Sequence, residues 1–189
     1  MNRFIASMAA LFMAASCAAF AQADIQIPAG EVQVIDDFEN GNYWIWSCSD
    51  WDQWGGHKVS AGADLYKKWS SQGKYSLELV MEAVGEGDDA SWFYDGSQDL
   101  RGGRYIVADF YNPTNSVHEI AVVVQVTDNW NWKESPSFEL RPGKHTIVFP
   151  VEELNEHFDE VKRITILDEP SIRTSGFTSI FVDNIRLIR

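Results

Sequence analysis

Cysteine is almost missing from this 189-residue chain. Of the two present, Cys17 falls in an N-terminal leader and only Cys48 remains after it, so no intramolecular disulfide is expected in the mature protein. Core packing, alone or with a metal, has to hold the fold. Basic residues are scarce too: 15 Lys and Arg stand against 28 Asp and Glu, a formal charge of −13. Nucleic acids and anionic membranes are bound by cations that neutralise phosphates, so this balance argues against both as partners. Anionic polysaccharides are disfavoured for the same reason. Beyond the leader, no apolar run approaches the roughly 20 residues of a membrane span. The four histidines, His57, His118, His145 and His157, are scattered, and HExxH, GxSxG, P-loop and dinucleotide-binding patterns are all missing. Were the chain catalytic, His57, following Gly55-Gly56, would be the first histidine to suspect.

What is present begins with an export signal. Met1-Asn2-Arg3 is a short positive start, Phe4 to Phe20 is nearly continuous Ala, Met, Leu, Phe and Ile, and Ala21-Gln22-Ala23 is a small-x-small cleavage site. Residues 1–23 therefore read as a signal peptide and 24–189 as the mature domain, 166 residues that suffice for one core. Loss of Arg3 leaves 14 basic residues against 28 acidic ones. The expected location is secreted or periplasmic. Ala14-Ala15-Ser16-Cys17 is a poorer match to a lipoprotein site, which leaves an outer-surface lipoprotein as the alternative.

The mature chain alternates with a period of two. Lys74–Ala83 puts Tyr75, Leu77, Leu79 and Met81 on one face. Arg104–Asn112 sets Ile106, Ala108 and Phe110 against Tyr105, Val107, Asp109 and Tyr111. In Glu119–Thr127, Ile120, Val122, Val124 and Val126 oppose Ala121, Val123, Gln125 and Thr127. Shorter strands are expected at Gln33–Phe38, Lys58–Ala61, Ala90–Asp95, Ser135–Leu140, His145–Pro150, Val161–Leu167 and Thr178–Ile188. Arg141-Pro142-Gly143-Lys144 suits a type II turn, with Gly at the position that needs positive φ. Only Val151–Phe158 suggests a helical turn. About ten short antiparallel strands predict an all-β protein, a jelly-roll β-sandwich.

Aromatic content carries the functional signal. All eight tryptophans lie in the mature chain, five of them between Trp44 and Trp69 and two more in Asp128-Asn129-Trp130-Asn131-Trp132, read here as a loop. Loops stay hydrated and are ordinarily polar, so Trp-rich ones either fold over the core or display rings to a ligand. A pyranose offers C–H groups that stack on an indole, while its hydroxyls seek Asp, Asn, Gln or Arg nearby. Trp69 and Trp92, beside strands, are expected in the core. Trp46, Trp51, Trp54, Trp130 and Trp132 are the candidates for a carbohydrate-binding surface.

Carboxylates mark the two ends of the domain. Asp36-Asp37-Phe38-Glu39 opens it and Asp183 sits in the closing strand. If the terminal strands pair, Glu39 and Asp183 come together, and two buried carboxylates repel unless a cation joins them. Ca²⁺, which takes carboxylate and carbonyl oxygens, suits such a place, with Gln72-Gly73-Lys74 as a source of carbonyls.

The ordered set VIDDFENG (Val34–Gly41), SSQGKYSLEL (Ser70–Leu79), HTIVFPVEEL (His145–Leu154) and SIFVDNIRLI (Ser179–Ile188) resembles the galactose-binding-domain-like jelly rolls that include many carbohydrate-binding modules. It looks most like the family 11 modules, which bind β-glucan. The resemblance spans essentially the whole mature chain. It implies a structural Ca²⁺ held by Glu39 and Asp183. It also implies a glucan-binding sheet face, for which Tyr105, Asp109, Tyr111, Gln125 and Arg163 are the outward-facing candidates. The Trp44–Trp54 segment departs from the family pattern.

The expected function is thus non-catalytic binding of a neutral polysaccharide. A structural or adhesive surface protein that meets another protein, and a jelly-roll glycosidase or lyase, stay open as alternatives, because this fold hosts all three.

Overall fold

Side chains that alternate between apolar and polar place one face of each strand inward, and two such sheets closed on each other make the core. A computed structural model describes residues 26–40, 46–48, 61–83, 90–169 and 176–189. The leader 1–23, Trp51, Trp54, His57 and most of Lys58–Ala61 lie outside the described residues. Twelve strands follow in order: β1 (Val32–Asp36), β2 (Trp46–Cys48), β3 (Ala61–Tyr66), β4 (Ser76–Ala83), β5 (Ala90–Gln98), β6 (Tyr105–Asn112), β7 (His118–Val126), β8 (Asn131–Glu134), β9 (Phe138–Leu140), β10 (Gly143–Pro150), β11 (Val161–Glu169) and β12 (Gly176–Ile188). Val151–Phe158 contributes one 3-10 turn, Glu152–Leu154.

Among the described residues all the pairings are antiparallel and fall into two sheets. The first runs β10-β6-β12-β4-β3, with β1 also on β12; the second runs β2-β5-β11-β7-β8, with β9 also on β7. The expected β-sandwich is what the chain forms. β12 is long enough to serve two partners on one edge, pairing β4 through residues 176–182 and β1 from Ile185 onward. Its register against β6 shifts between Asp183 and Arg186, where Asn184 takes φ 50°.

The three long alternating runs orient as their pattern requires. Leu77, Leu79 and Met81 of β4, Ile106, Ala108 and Phe110 of β6, and Ile180, Val182, Ile185 and Leu187 of β12 face Trp92 of β5, the even-numbered apolar residues of β7, and Ile164 and Ile166 of β11. Trp92 is completely buried, as expected. Trp69 is not a core residue. It precedes β4 on the outer side of the first sheet and rests on Tyr111 and Phe181, at ring distances of 5.5 and 6.4 Å.

Two further differences have local causes. The expected strand Ser135–Leu140 shortens to Phe138–Leu140, since Pro136 has no N–H to give a ladder. β9 keeps its C-terminal part, and β8 forms upstream of it. The Asp128–Trp132 segment is consequently half turn and half strand, since β8 folds back on β7 through a turn at Thr127–Trp130. Gly143 takes φ 110° in the Pro142-Gly143 turn, the positive value foreseen for it.

A polar pair also lies inside the sandwich. His118 Nδ1 and Asp168 Oδ2 are 2.8 Å apart across β7 and β11, with both side chains almost fully covered.

Because Trp92 has no exposed surface, Trp92→Ala should cost about 3–5 kcal/mol of stability in urea unfolding. A loss under about 1 kcal/mol would show that the ring is not a core element.

Candidate functional site

The outer face of the second sheet is built from the positions that alternate with its core. Strand registers align Asp95 of β5, Arg163 of β11, Gln125 of β7 and Trp132 of β8 in one row across four strands. Period-two geometry requires these residues to share a face, since Tyr94, Ile164 and Val124 beside them point into the core. On the same face Ala121, Val123 and Leu167 form a small buried apolar cluster, so the open part is the Asp95-to-Trp132 end.

Both indoles at that end meet solvent. Trp130 is 46% exposed and Trp132 43%, whereas Trp92 has no exposure. Trp130 closes the Thr127–Trp130 turn at φ 56°, and Thr127 opens it at φ 63°. The left-handed region costs a non-glycine residue about 1 kcal/mol or more, so local preference alone would not place an indole there. The turn is tied by side chains. Thr127 Oγ1 accepts the Asn129 N–H and the Asn131 amide, each at 3.3 Å, and Gln125 Nε2 reaches the Trp130 carbonyl at 3.5 Å.

The polar members of the row are fixed in turn. Arg163 makes a two-bonded pair with Asp95, in which its Nε donates to Oδ1 and its second nitrogen to Oδ2. The guanidinium lies 3.7 Å from the Phe93 ring centre and 5.0 Å from Trp130. Trp132 Nε1 donates to Glu134 Oε2 at 2.6 Å. Indole faces, a clamped guanidinium, a primary amide and two carboxylates thus stand together at one end of a rigid sheet. Phe93, Asp95 and Glu134 were not among the sequence candidates. Phe93 and Asp95 were legible as the outward partners of Trp92 and Tyr94, but only the strand order brings them next to Arg163.

The expectation of a single surface holding Tyr105, Asp109, Tyr111, Gln125 and Arg163 is corrected. Tyr105, Asp109 and Tyr111 belong to β6 of the first sheet, while Gln125 and Arg163 belong to the second. The Pro113–Val117 connection carries the chain from one sheet to the other, so these outer faces point in opposite directions. Tyr105 and Tyr111 are also six residues apart along one strand, about 20 Å. Asp109 is a structural hub. Its Oδ2 accepts Ser71 Oγ at 2.8 Å, Asn184 Nδ2 at 2.9 Å and Arg186 at 3.3 Å, and its Oδ1 accepts Thr146 Oγ1 at 2.8 Å. Trp46 is described only as the first residue of β2, which pairs with β5 in the sheet that carries Arg163.

Glu39 and Asp183 do reach the same turn, 70–75. Asp183 Oδ2 accepts the Ser71 N–H at 2.6 Å, the Gln72 N–H at 3.0 Å and Ser71 Oγ at 3.0 Å, while Oδ1 accepts the Asn184 N–H at 2.7 Å. Glu39 Oε1 accepts the N–H groups of Lys74 and Tyr75 at 2.6 and 2.9 Å. Gly73, at φ 59°, lets the turn close, because a Cβ there would lie 2.3 Å from the Glu39 carboxyl. As placed, the two carboxylates fit peptide N–H donors. These hydrogen bonds engage Glu39 through Oε1; its Oε2 and the carbonyls of the turn are oxygens of the kind Ca²⁺ takes, so the set is compatible with the expected cation.

The two carboxyls respond oppositely to pH. The Lys74 and Tyr75 N–H groups hold Glu39 below its ordinary 4.5, so its contribution is present above that value and lost as pH falls through the lowered one. Burial pushes Asp183 above its ordinary 3.8 despite its donors, so its ionisation opposes folding as pH rises through that range.

Gly73→Ala is expected to cost at least about 2 kcal/mol, because it strains the backbone and pushes the Glu39 carboxylate off two N–H groups. A neutral effect in thermal melts would mean that the clamp is unimportant. If Glu39 and Asp183 share a Ca²⁺, EGTA should lower the melting temperature of the purified chain by several degrees; an unchanged melt argues against a shared cation.

Comparison with known proteins agrees with this architecture. A family model described as mannanase, galactose-binding domain-like, matches residues 36–184. No curated protein matches the chain in sequence. Among solved structures, it is similar to the family 11 carbohydrate-binding module of the cellulosomal cellulase Lic26A-Cel5E of Clostridium thermocellum, with TM-score 0.60, 15% identity and coverage of 85% of this chain and 96% of that one. It is also similar to a family 28 carbohydrate-binding module specific for non-crystalline cellulose, with TM-score 0.61, 17% identity and coverage of 86% and 97%. An exo-β-agarase shares the fold at TM-score 0.57 and 11% identity, 82% of this chain covering 24% of that enzyme. At such identities the likeness speaks for the fold. No helix among the described residues is long and apolar enough to cross a membrane.

Proposed function

This chain belongs to the mannanase, galactose-binding domain-like family, whose model covers residues 36–184, and from that premise we propose that it is an exported module that binds a neutral polysaccharide without cutting it. The reading rests on one observation: Trp130 and Trp132 stand nearly half exposed beside a row of fixed polar side chains. Exposing two indoles costs the free protein apolar hydration, which stacking against sugar C–H faces removes. Gln125 and the Arg163–Asp95 pair stand within reach of the sugar hydroxyls, and the contacts that hold them, Gln125 to the Trp130 carbonyl and Arg163 to Asp95, lower the entropy lost on binding.

The substrate class follows from charge and from the relatives. The net charge of −13 disfavours acidic polymers. The matched family is named for mannanases, and a family 11 module has been solved with a β-1,3-1,4-mixed-linked tetrasaccharide. A β-linked mannan or glucan is therefore the proposed ligand. Export by the 1–23 leader, to the periplasm or the medium, is part of the same proposal.

Substituting both indoles, Trp130→Ala with Trp132→Ala, should abolish retention on glucomannan and mixed-linkage β-glucan in affinity electrophoresis. Stability should change by no more than about 0.5 kcal/mol, as for surface positions. Retention that survives the double substitution refutes the indole surface, and release of reducing sugar would make the chain an enzyme. Trp130→Gly offers a sharper contrast, since glycine accepts φ 56° without strain: stability should hold or rise while retention falls.

A further inference from the structure

The outer side of the first sheet, which points away from Trp130 and Trp132, carries aromatic rings of its own. Tyr111 and Phe181 lie nearly parallel at 5.8 Å, Tyr66 meets Phe181 at 4.2 Å, and Trp69 covers Tyr111. A cleft of about 340 Å³ is lined there by Trp69, Ser70, Ser71, Asp109, Lys144 and Thr146, among others. That volume is at the low end of the roughly 300–1,000 Å³ of small-molecule sites, room for one sugar unit and not for a chain.

From this cleft we infer a second carbohydrate site, one that takes a single neutral pyranose unit at a chain end or branch. The hydrogen-bonding capacity of its lining selects that class. Ser70 Oγ donates to the Gly73 carbonyl at 3.3 Å, Ser71 Oγ is 2.8 Å from Asp109 and 3.0 Å from Asp183, and Thr146 Oγ1 donates to Asp109 at 2.8 Å. With their protons already given to the protein, the three hydroxyls meet a ligand as acceptors. Lys144, exposed on β10, supplies donors, and the Trp69 indole supplies an apolar wall. Acceptors for hydroxyl protons, a cation for a hydroxyl lone pair and a flat ring for C–H groups together complement a neutral sugar. An anion would face the acceptor oxygens and the Asp109 carboxylate. An apolar ligand would leave those oxygens without partners, which is costly.

The lining is also held in advance. Asp109 is fixed by Asn184, Arg186 and Thr146, Ser71 is pinned to Asp183, and the far end of the same turn, at Lys74 and Tyr75, is held by Glu39. The site stands independently of the indole face. With both occupied, one molecule would hold two polysaccharide chains on opposite sides.

The test uses the Trp130→Ala, Trp132→Ala chain as background, so its result does not depend on what the indole face binds. Methyl β-D-mannopyranoside and methyl β-D-glucopyranoside are titrated separately and followed by amide shifts. Saturable shifts at Ser70, Ser71, Lys144 and Thr146 with at least one glycoside are expected. Lys144→Ala should weaken binding about tenfold or more, as for a lost hydrogen bond to a charged group, and Trp69→Ala should abolish it. If Trp69→Ala fails to fold, Lys144→Ala at its exposed position decides the matter alone. No shifts at these amides with either glycoside, or an affinity untouched by Lys144→Ala, overturns the site.

Discussion

Closing the apolar face of one sheet against that of the other decides what each outer face is free to do. Because the inner positions of β4, β6 and β12 are filled by Leu, Ile, Val and Phe that meet Trp92 and the β7 valines, every side chain between them is turned outward. The outward residues of the two sheets then point in opposite directions. A β6 residue and a β7 residue, close in sequence, end on different sides of the molecule. Whatever the chain binds through Trp130 and Arg163 is therefore separated from Tyr111 and Asp109 by the whole thickness of the core, two packed sheets about 10 Å apart.

The 70–75 turn adds a second constraint, made by polar groups. Asp183 at the β12 irregularity and Glu39 after β1 both hold the N–H groups of this turn, and Asp109 of β6 shares Ser71 with Asp183. Carboxylates from β6, from β12 and from the segment after β1 thus converge on a stretch that would otherwise have to hydrate its own backbone. Trp69 stands just before it, so the position of that ring on Tyr111 is inherited from the clamp. The indole face on the other sheet is held differently, by the β7–β8 turn and by the Arg163–Asp95 pair.

Much of this architecture was legible in the residues. Alternation in β4, β6 and β7 marked both the strands and their inward faces, and Pro142-Gly143 marked the turn before β10. The sequence offers the pairing of terminal strands only as a condition on a sandwich; β1 does pair with β12, and Glu39 and Asp183 reach one turn. Periodicity says which face a residue takes on its own strand and nothing about which sheet that strand joins. For that reason the sequence alone groups Tyr105, Asp109 and Tyr111 with Gln125 and Arg163, which the sheet order separates. Trp69 has the sequence signature of a core residue because a ring beside a strand buries area on either face of the sheet. The interior His118–Asp168 pair had no local signal, its members being 50 residues apart and joined only by the β7–β11 register. Trp130 and Trp132 could be read as surface residues because the polar Asp and Asn around them left no apolar stripe for a core.

The β7–β8 turn has an evolutionary consequence. Its four residues, Thr127 to Trp130, sit beyond the last core position of β7, so apart from the Thr127 hydroxyl that ties the turn their identity is decoupled from the packing of the interior. Substitutions there can change the shape and chemistry of the exposed rim at little risk to the scaffold. A hairpin tip of this kind lets the gripping surface be rebuilt by substitution alone, with the closed interior beneath it left as it is.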